Sequence, residues 1–259
     1  MNSPILKLEN VSFSYGSQTI LDQCSSAVEP QSITAILGGN GQGKTTLIKC
    51  ILKHNIYNSG KILLQGKEIS EYSIKEYAKI VSYVPQLNSI DNDCIVRDYI
   101  VEGRTPYLHG FSLPKKQDYI KGEFYAEKLG VEHFLGKFLS QLSGGELQLV
   151  MIVRALVQET PVILMDEPLS ALDMKRQYEV LKIIKNLEQE GKTILFTTHN
   201  PNHAIALKCM VWILNHKTIS QSGKADEIIT EKLLQEVYNK NVVLRTGIDW
   251  KCCSFTDII

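Results

Sequence analysis

The chain has 259 residues and a mass of 29.2 kDa, and its 28 Lys+Arg are balanced by 28 Asp+Glu. Apolar residues make up 44% and charged residues 22%, a mixture that excludes a disordered chain; at this length roughly 70–75% of the unfolded surface can be buried. Zero net charge argues against a large nucleic-acid footprint, and no nucleic-acid partner is expected. Over the first ~30 residues, Ile5, Leu8, Val11 and Phe13 are separated by polar residues in strand fashion and closed by Tyr15-Gly16. Ile33 to Leu37 is a mostly apolar strand that runs into glycines, and from Lys44 the pattern becomes helical, with Leu47, Ile48, Ile51 and Leu52 on one face. Gly60 to Ile69 predicts two short strands around Gly66-Lys67, and Val81 to Val84 another strand ended by Pro85.

Strand signals then vanish between Leu87 and Glu159. Residues 96–101, 116–129 and 144–158 carry helical periodicity, punctuated by Gly103, Pro106, Gly110 and Pro114. Alternation resumes with a strand at Val162–Met165, a helix at 174–190, a strand at Thr193–Thr198, a helix near 201–208 and a strand at Met210–Leu214. Strands of nearly continuous apolar residues alternating with helices indicate a parallel sheet covered on both faces. The expected fold is therefore α/β, interrupted by a helical insertion. Val242-Val243-Leu244 suggests a closing strand, and the stretch from Trp250 to Cys253 carries no motif.

No apolar run reaches the roughly 18–20 residues needed to cross a bilayer; Leu147 to Val157 is broken by Gln148 and Arg154. The N-terminus lacks a basic segment followed by an apolar stretch, so the expectation is a soluble cytoplasmic protein without a signal peptide. The six cysteines, at 24, 50, 94, 209, 252 and 253, form no C-x-x-C pair and no zinc spacing, which suits free thiols in a reducing compartment. His199 and His203 are four apart, but no Glu follows the first, so a helical zinc pair is not expected.

Three motifs carry chemistry. Gly38-Gly39-Asn40-Gly41-Gln42-Gly43-Lys44-Thr45 matches G-x-x-x-x-G-K-[ST] between a predicted strand and a predicted helix. Glycines let backbone N–H groups turn inward around phosphate oxygens, Lys44 would neutralise the terminal phosphates, and Thr45 would ligate Mg2+. Val162 to Glu167 is a buried strand ending in two carboxylates. Asp166 is positioned for the Mg2+ shell and Glu167 for orienting an attacking water. Leu142-Ser143-Gly144-Gly145-Glu146 contains the capping pattern S-x-x-E ahead of a helical run. Two glycines in a first helical turn cost roughly 1 kcal/mol each, so bare backbone N–H groups for an anion are the better reason for them.

With these motifs the chain resembles the ATP-binding cassette (ABC) ATPases up to about residue 240. The resemblance implies a P-loop NTPase (RecA-like) core with N-terminal antiparallel β strands, 1–86 and 160–259, and an inserted α-helical subdomain at 87–159. It implies that Tyr15 stacks on adenine, that Gly38 to Thr45 and Thr46 bind nucleotide, and that Gln86 senses Mg2+ and water. It further implies that Ser143, Gly144, Gly145 and Glu146 bind the ATP of a second copy, that Ser170-Ala171-Leu172-Asp173 crosses the dimer interface, and that His199 contacts the γ-phosphate. Glu167, His199, Gln86 and Lys44 are then the catalytic set, with Thr45, Gln86 and Asp166 around Mg2+. One departure is Leu147 and Leu149 around Gln148, where many relatives carry basic residues.

The segment Val96 to Tyr99 and Gly103-Arg104-Thr105-Pro106-Tyr107, with Phe111 and Pro114, together with Thr197 to His203, resembles the ATPases of importers for iron–siderophore complexes, haem, cobalamin or molybdate. Such a resemblance implies ATP and Mg2+ as cofactors and a second copy of the chain as partner. It also implies an integral membrane permease, indirectly a solute-binding protein, and a peripheral location on the cytoplasmic face of the cell membrane. Two alternatives stay open: a soluble cassette ATPase of iron–sulfur-cluster assembly, and the ATPase of a multi-component exporter.

Overall fold

The computed structural model describes residues 3–87, 94–110, 112–170, 172–238, 242–247 and 251–255. Along the chain run β1 (Leu6–Tyr15), β2 (Gln18–Val28), β3 (Ile33–Leu37), α1 (Lys44–Ile51), β4 (Ser59–Leu64), β5 (Lys67–Glu68), α2 (Ile74–Ala78), β6 (Val81–Val84), α3 (Val96–Val101), α4 (Lys116–Leu129) and α5 (Gly144–Val157). There follow β7 (Val162–Met165), α6 (Met174–Gln189), β8 (Thr193–Thr198), α7 (Pro201–Leu207), β9 (Met210–Asn215), β10 (Thr218–Lys224), α8 (Ala225–Ile228), α9 (Glu231–Tyr238), β11 (Val242–Thr246) and β12 (Lys251–Phe255). The residues group into two compact units, Met1–Glu71 with Ile184–Ile259, and Tyr72–Ile183, so α6 spans the division. Among the described residues, no helix is long and apolar enough to cross a membrane.

In the first unit, β2, β1, β4 and β5 form an antiparallel sheet. Leu6, Leu8, Val11 and Phe13 are all buried in β1, yet the step from 8 to 11 is odd and a straight strand would turn the second pair outward. The register of β1 shifts between Leu8 and Val11, and Asn10 in that interval takes φ +49. An extra residue in a left-handed conformation restores the inward face, and Asn tolerates that conformation better than most residues. The bulge also dictates its neighbour: Gly60 has φ +90, and a Cβ there would lie 2.3 Å from the Asn10 carbonyl oxygen.

The second sheet of this unit has β3 parallel to both β8 and β9, with β10 antiparallel at the edge beside β9. Every residue of β3 and of β8 is buried, as expected of parallel strands covered on both faces. Leu47, Ile48 and Ile51 of α1 are buried as well. The two sheets are tied where Asp22 N donates to Lys217 O at 2.8 Å.

In the second unit, β6 and β7 pair in parallel from Val81↔Val162 to Val84↔Met165. Gly103 lies tight against α5: a Cβ there would be 2.3 Å from Arg154 O. The neighbouring Arg104 is only 6% exposed. Its Nη1 donates to Val157 O and Glu159 Oε2, each at 3.0 Å, and its Nε to Asp118 Oδ1 at 3.1 Å. The guanidinium carbon sits 3.9 Å from the Tyr107 ring centroid, and Lys121 also pairs with Glu159. Gly103 and Arg104 thus form a buried clamp binding α4 to the end of α5, with Thr105 exposed and Pro106 and Tyr107 half-buried beside it. Phe111, quoted with it, lies outside the described residues.

Candidate functional site

β3 delivers the chain to the glycine-rich loop and α1 carries it away. Gly41 has φ +77, and Gly43, the N-cap of α1, has φ +97. Both conformations are inexpensive only for glycine. A Cβ at Gly38 would lie 2.4 Å from Leu214 O in β9, so the loop begins pressed against the sheet. Lys44 is 6% exposed, and its Nζ donates to the carbonyls of Gly38 and Gly39 at 3.0 Å each. The loop therefore closes around the ammonium group. Gly43 brings no side-chain acceptor to the first turn of α1, which leaves that helix start suited to an anion from outside. Asn40 and Gly41 are exposed, while Gln42, Thr45 and Thr46 are half-buried.

Two further predicted residues stand in the same unit. Tyr15, at the end of β1, is 51% exposed, and its ring meets that of Phe13 edge-on at 4.7 Å. Asn55 Nδ2 donates to its hydroxyl at 3.0 Å, leaving an aromatic face outward. His199 follows β8 and is exposed. It lines, with Gly39 and Asn40 of the loop, a largely apolar cavity of about 390 Å3. The structure thus brings His199 and the glycine-rich loop to one cavity.

In the second unit, Gln86 and the pair Asp166-Glu167 lie just beyond the C-terminal ends of the adjacent strands β6 and β7. Asp166 is 1% exposed, and its N–H donates to Val84 O at 2.9 Å. Burial, and secondarily the Asp166 charge, raises the pKa of the Tyr83 hydroxyl. Glu167 is half-buried at φ +49. Ser170 donates to its carbonyl from both N, at 3.0 Å, and Oγ, at 2.8 Å. Leu172 is buried, and Asp173 caps the chain's entry into α6 by accepting from Arg176 N at 2.8 Å. Ala171 lies outside the described residues.

Ser143 caps α5 in a complete capping box with Glu146. Its N–H and hydroxyl both donate to Glu146 Oε2, at 2.8 and 2.7 Å. The Ser143 hydroxyl, and then its N–H, hold the Glu146 carboxyl below the usual carboxylate range. Gly145 faces the Arg176 side chain: a Cβ would lie 3.1 Å from Arg176 Cγ, so that flexible side chain would have to give by a few tenths of an ångström. Arg176 also pairs with Glu179 at 2.7 Å and went unnoticed in the sequence, where nothing links it to a glycine 31 positions earlier. Gln148 is buried, between the two leucines that depart from the usual pattern.

Comparison with known proteins identifies the family. The family model described as ABC transporter matches residues 21–170. The petrobactin import ATP-binding protein of Bacillus subtilis (strain 168) is 32% identical, over 93% of this chain and 96% of its own. The iron(3+)-hydroxamate import ATP-binding protein of the same organism is 31% identical, over 92% of this chain and 88% of its own. A solved structure described as an inward-facing conformation of a metal-chelate type ABC transporter superposes with a TM-score of 0.84 at 29% identity, covering 98% of this chain and 97% of that one. On its fold, its phosphate loop and these likenesses, the chain belongs to the ABC transporter family, as an ATP-binding ATPase coupled to transport.

Proposed function

We propose that the chain is the ATPase subunit of an importer that takes up a metal chelate of the iron–siderophore or haem type. The observation that carries this reading is the likeness along almost the whole chain to import ATP-binding proteins for petrobactin and iron(3+)-hydroxamate. The chain works from the cytoplasmic face of the membrane, bound to a separate integral permease, and a solute-binding protein supplies the cargo. Residues 87–159 form the helical lobe that meets the permease, and 1–86 with 160–259 the nucleotide-binding core.

Two copies close face to face over two ATP molecules. In each site Tyr15 stacks on the adenine, Gly38 to Thr46 wrap the phosphates, and Ser143 to Glu146 of the other copy complete the enclosure, with Ser170 to Asp173 at the seam. Thr45, Gln86 and Asp166 offer a hydroxyl, an amide oxygen and a buried carboxylate, an all-oxygen donor set that fits Mg2+. Bound there, Mg2+ supplies charge neutralisation on the phosphate oxygens. Glu167 orients and deprotonates the attacking water, and His199 and Lys44 hold charge at the terminal phosphate. Phosphoryl transfer depends mainly on such positioning, and closure transmits the work to the permease.

The test is Glu167→Gln. Loss of the base lowers turnover by about 10²–10⁴ and traps an ATP-bound dimer, visible by gel filtration. A variant that elutes only as monomer with ATP overturns the sandwich. In parallel, the tagged chain captured from gently solubilised native membranes brings down a polytopic permease. A soluble partner without membrane spans overturns the importer reading and leaves only the ATP chemistry.

A further inference from the structure

The geometry points to Asn202 as a positioning residue for His199, acting as the link through which the C-terminal hairpin braces the switch segment; this rests on the reading of His199 given above. Beyond His199 the chain is knotted into a small local network. Asn200 caps α7 by accepting from Asn202 N at 3.0 Å, and Thr198 Oγ1 accepts from Asn200 N at 3.1 Å. Thr198 Oγ1 also lies 2.9 Å from Nδ1 of the buried His203. These contacts shape the turn that carries His199 but are all local to residues 198–203.

Asn202 ties the turn to the C-terminal hairpin. Its Oδ1 accepts from Cys253 N at 2.7 Å and its Nδ2 donates to Cys253 O at 3.2 Å. One carboxamide engaging both polar groups of one backbone residue fixes the plane of the amide as well as its distance. The hairpin it grips is anchored in turn. β11 and β12 pair from Val242↔Phe255 to Thr246↔Lys251, Leu244 N donates to Glu231 Oε2 of α9 at 3.2 Å, and Lys251 Nζ donates to Asp226 O of α8 at 3.1 Å. Val242, Cys253 and Ser254 wall the same cavity as His199, Gly39 and Asn40. A histidine on an exposed turn must hold its place against the phosphate loop, and the hairpin stands behind that turn.

Asn202→Ala in the purified full-length chain is expected to lower kcat for Mg·ATP about tenfold with KM changed by less than about twofold, because the loss falls on placement in the transition state and not on binding. Asn202→Asp keeps the acceptor for Cys253 N–H but turns a carboxylate oxygen toward Cys253 O in place of the Nδ2 donor, so it too falls below wild-type kcat. Amide hydrogen exchange of residues 197–202 rises in Asn202→Ala while β9 keeps its protection. Wild-type kcat in Asn202→Ala overturns the inference, as does a uniform rise in exchange through the chain, which marks a merely structural role. His199→Ala separates the two readings. If it turns over normally, the role of His199 itself falls; if it is inactive while Asn202→Ala is not, only the brace falls.

Discussion

The residue proposed as catalytic base sits in a backbone conformation that disfavours any side chain. Glu167 has φ +49, where an L-residue with a Cβ is strained by about 1–2 kcal/mol. The turn is held by Ser170, whose N and Oγ both donate to the Glu167 carbonyl, so backbone bonds maintain it whatever side chain is present. Glu167→Gly removes the strain, while the looser unfolded chain offsets roughly 0.5–1 kcal/mol of the gain. The net is a stabilisation of about 0–1.5 kcal/mol, with Tm rising by as much as roughly 6 °C. Glu167→Gln keeps the strain and is the reference. Thermal unfolding should therefore rank Glu167→Gly above Glu167→Gln, and both should lose turnover by about 10²–10⁴. A glycine variant that melts below the glutamine variant refutes the strain argument. One that hydrolyses ATP within about tenfold of the wild type refutes the base.

Two further perturbations test the scaffold. Gly38→Ala places a Cβ 2.4 Å from Leu214 O, a backbone atom of a buried strand that cannot simply rotate away; a loss of about 1–3 kcal/mol and weakened ATP binding are expected, by denaturant unfolding and nucleotide titration. Glu159→Gln tests the clamp around Arg104. Burial pushes the Glu159 carboxyl up, but the hydrogen bond and charge of Lys121, with the charge of Arg104, outweigh it and hold its pKa below the ordinary value of 4.5. A carboxyl lowered on folding contributes stability above its unfolded pKa and loses it as pH falls through the folded one. The wild type should therefore be more stable than Glu159→Gln at neutral pH, and urea unfolding should show the gap closing in acid below about pH 4.5. A gap of constant size across that range removes the charge from the explanation.

Much of the architecture was legible because it is written in short-range periodicity. β7 is an unbroken apolar run, β3 and β8 are apolar but for threonines, and the glycine-rich loop between β3 and α1 is recognisable from eight consecutive residues. What escaped is short, polar or distant. α2 has five residues, too few for a helical period, although the Ser73–Glu76 capping box that starts it is present in the sequence. β10 is a polar edge strand, entered through His216 and Lys217 at φ +49 and +70. That two-residue turn favours Asn-Gly, so no turn signal announced it. At the C-terminus a strand is legible at Val242–Leu244, but its partner Lys251–Phe255 is not. The contact that makes the hairpin matter spans 51 positions, from Asn202 to Cys253. Residue types could nominate Glu167 but carried no sign of its left-handed backbone.

The capping box at the head of α5 has a consequence for selectivity. The Glu146 carboxylate folds back onto the N-cap, accepting from the Ser143 hydroxyl and N–H, and takes no N–H of Gly144 or Gly145. Those two bonds hold the carboxyl below its usual range. On the proposed reading, an anion reaching the two glycines meets a favourable helix start with a fixed negative charge beside it. A free anion gains little from such a balance. A phosphate already gripped by the loop of the other copy has its place secured elsewhere and needs only a modest net attraction here. The signature segment thereby responds to seated nucleotide and not to stray anions.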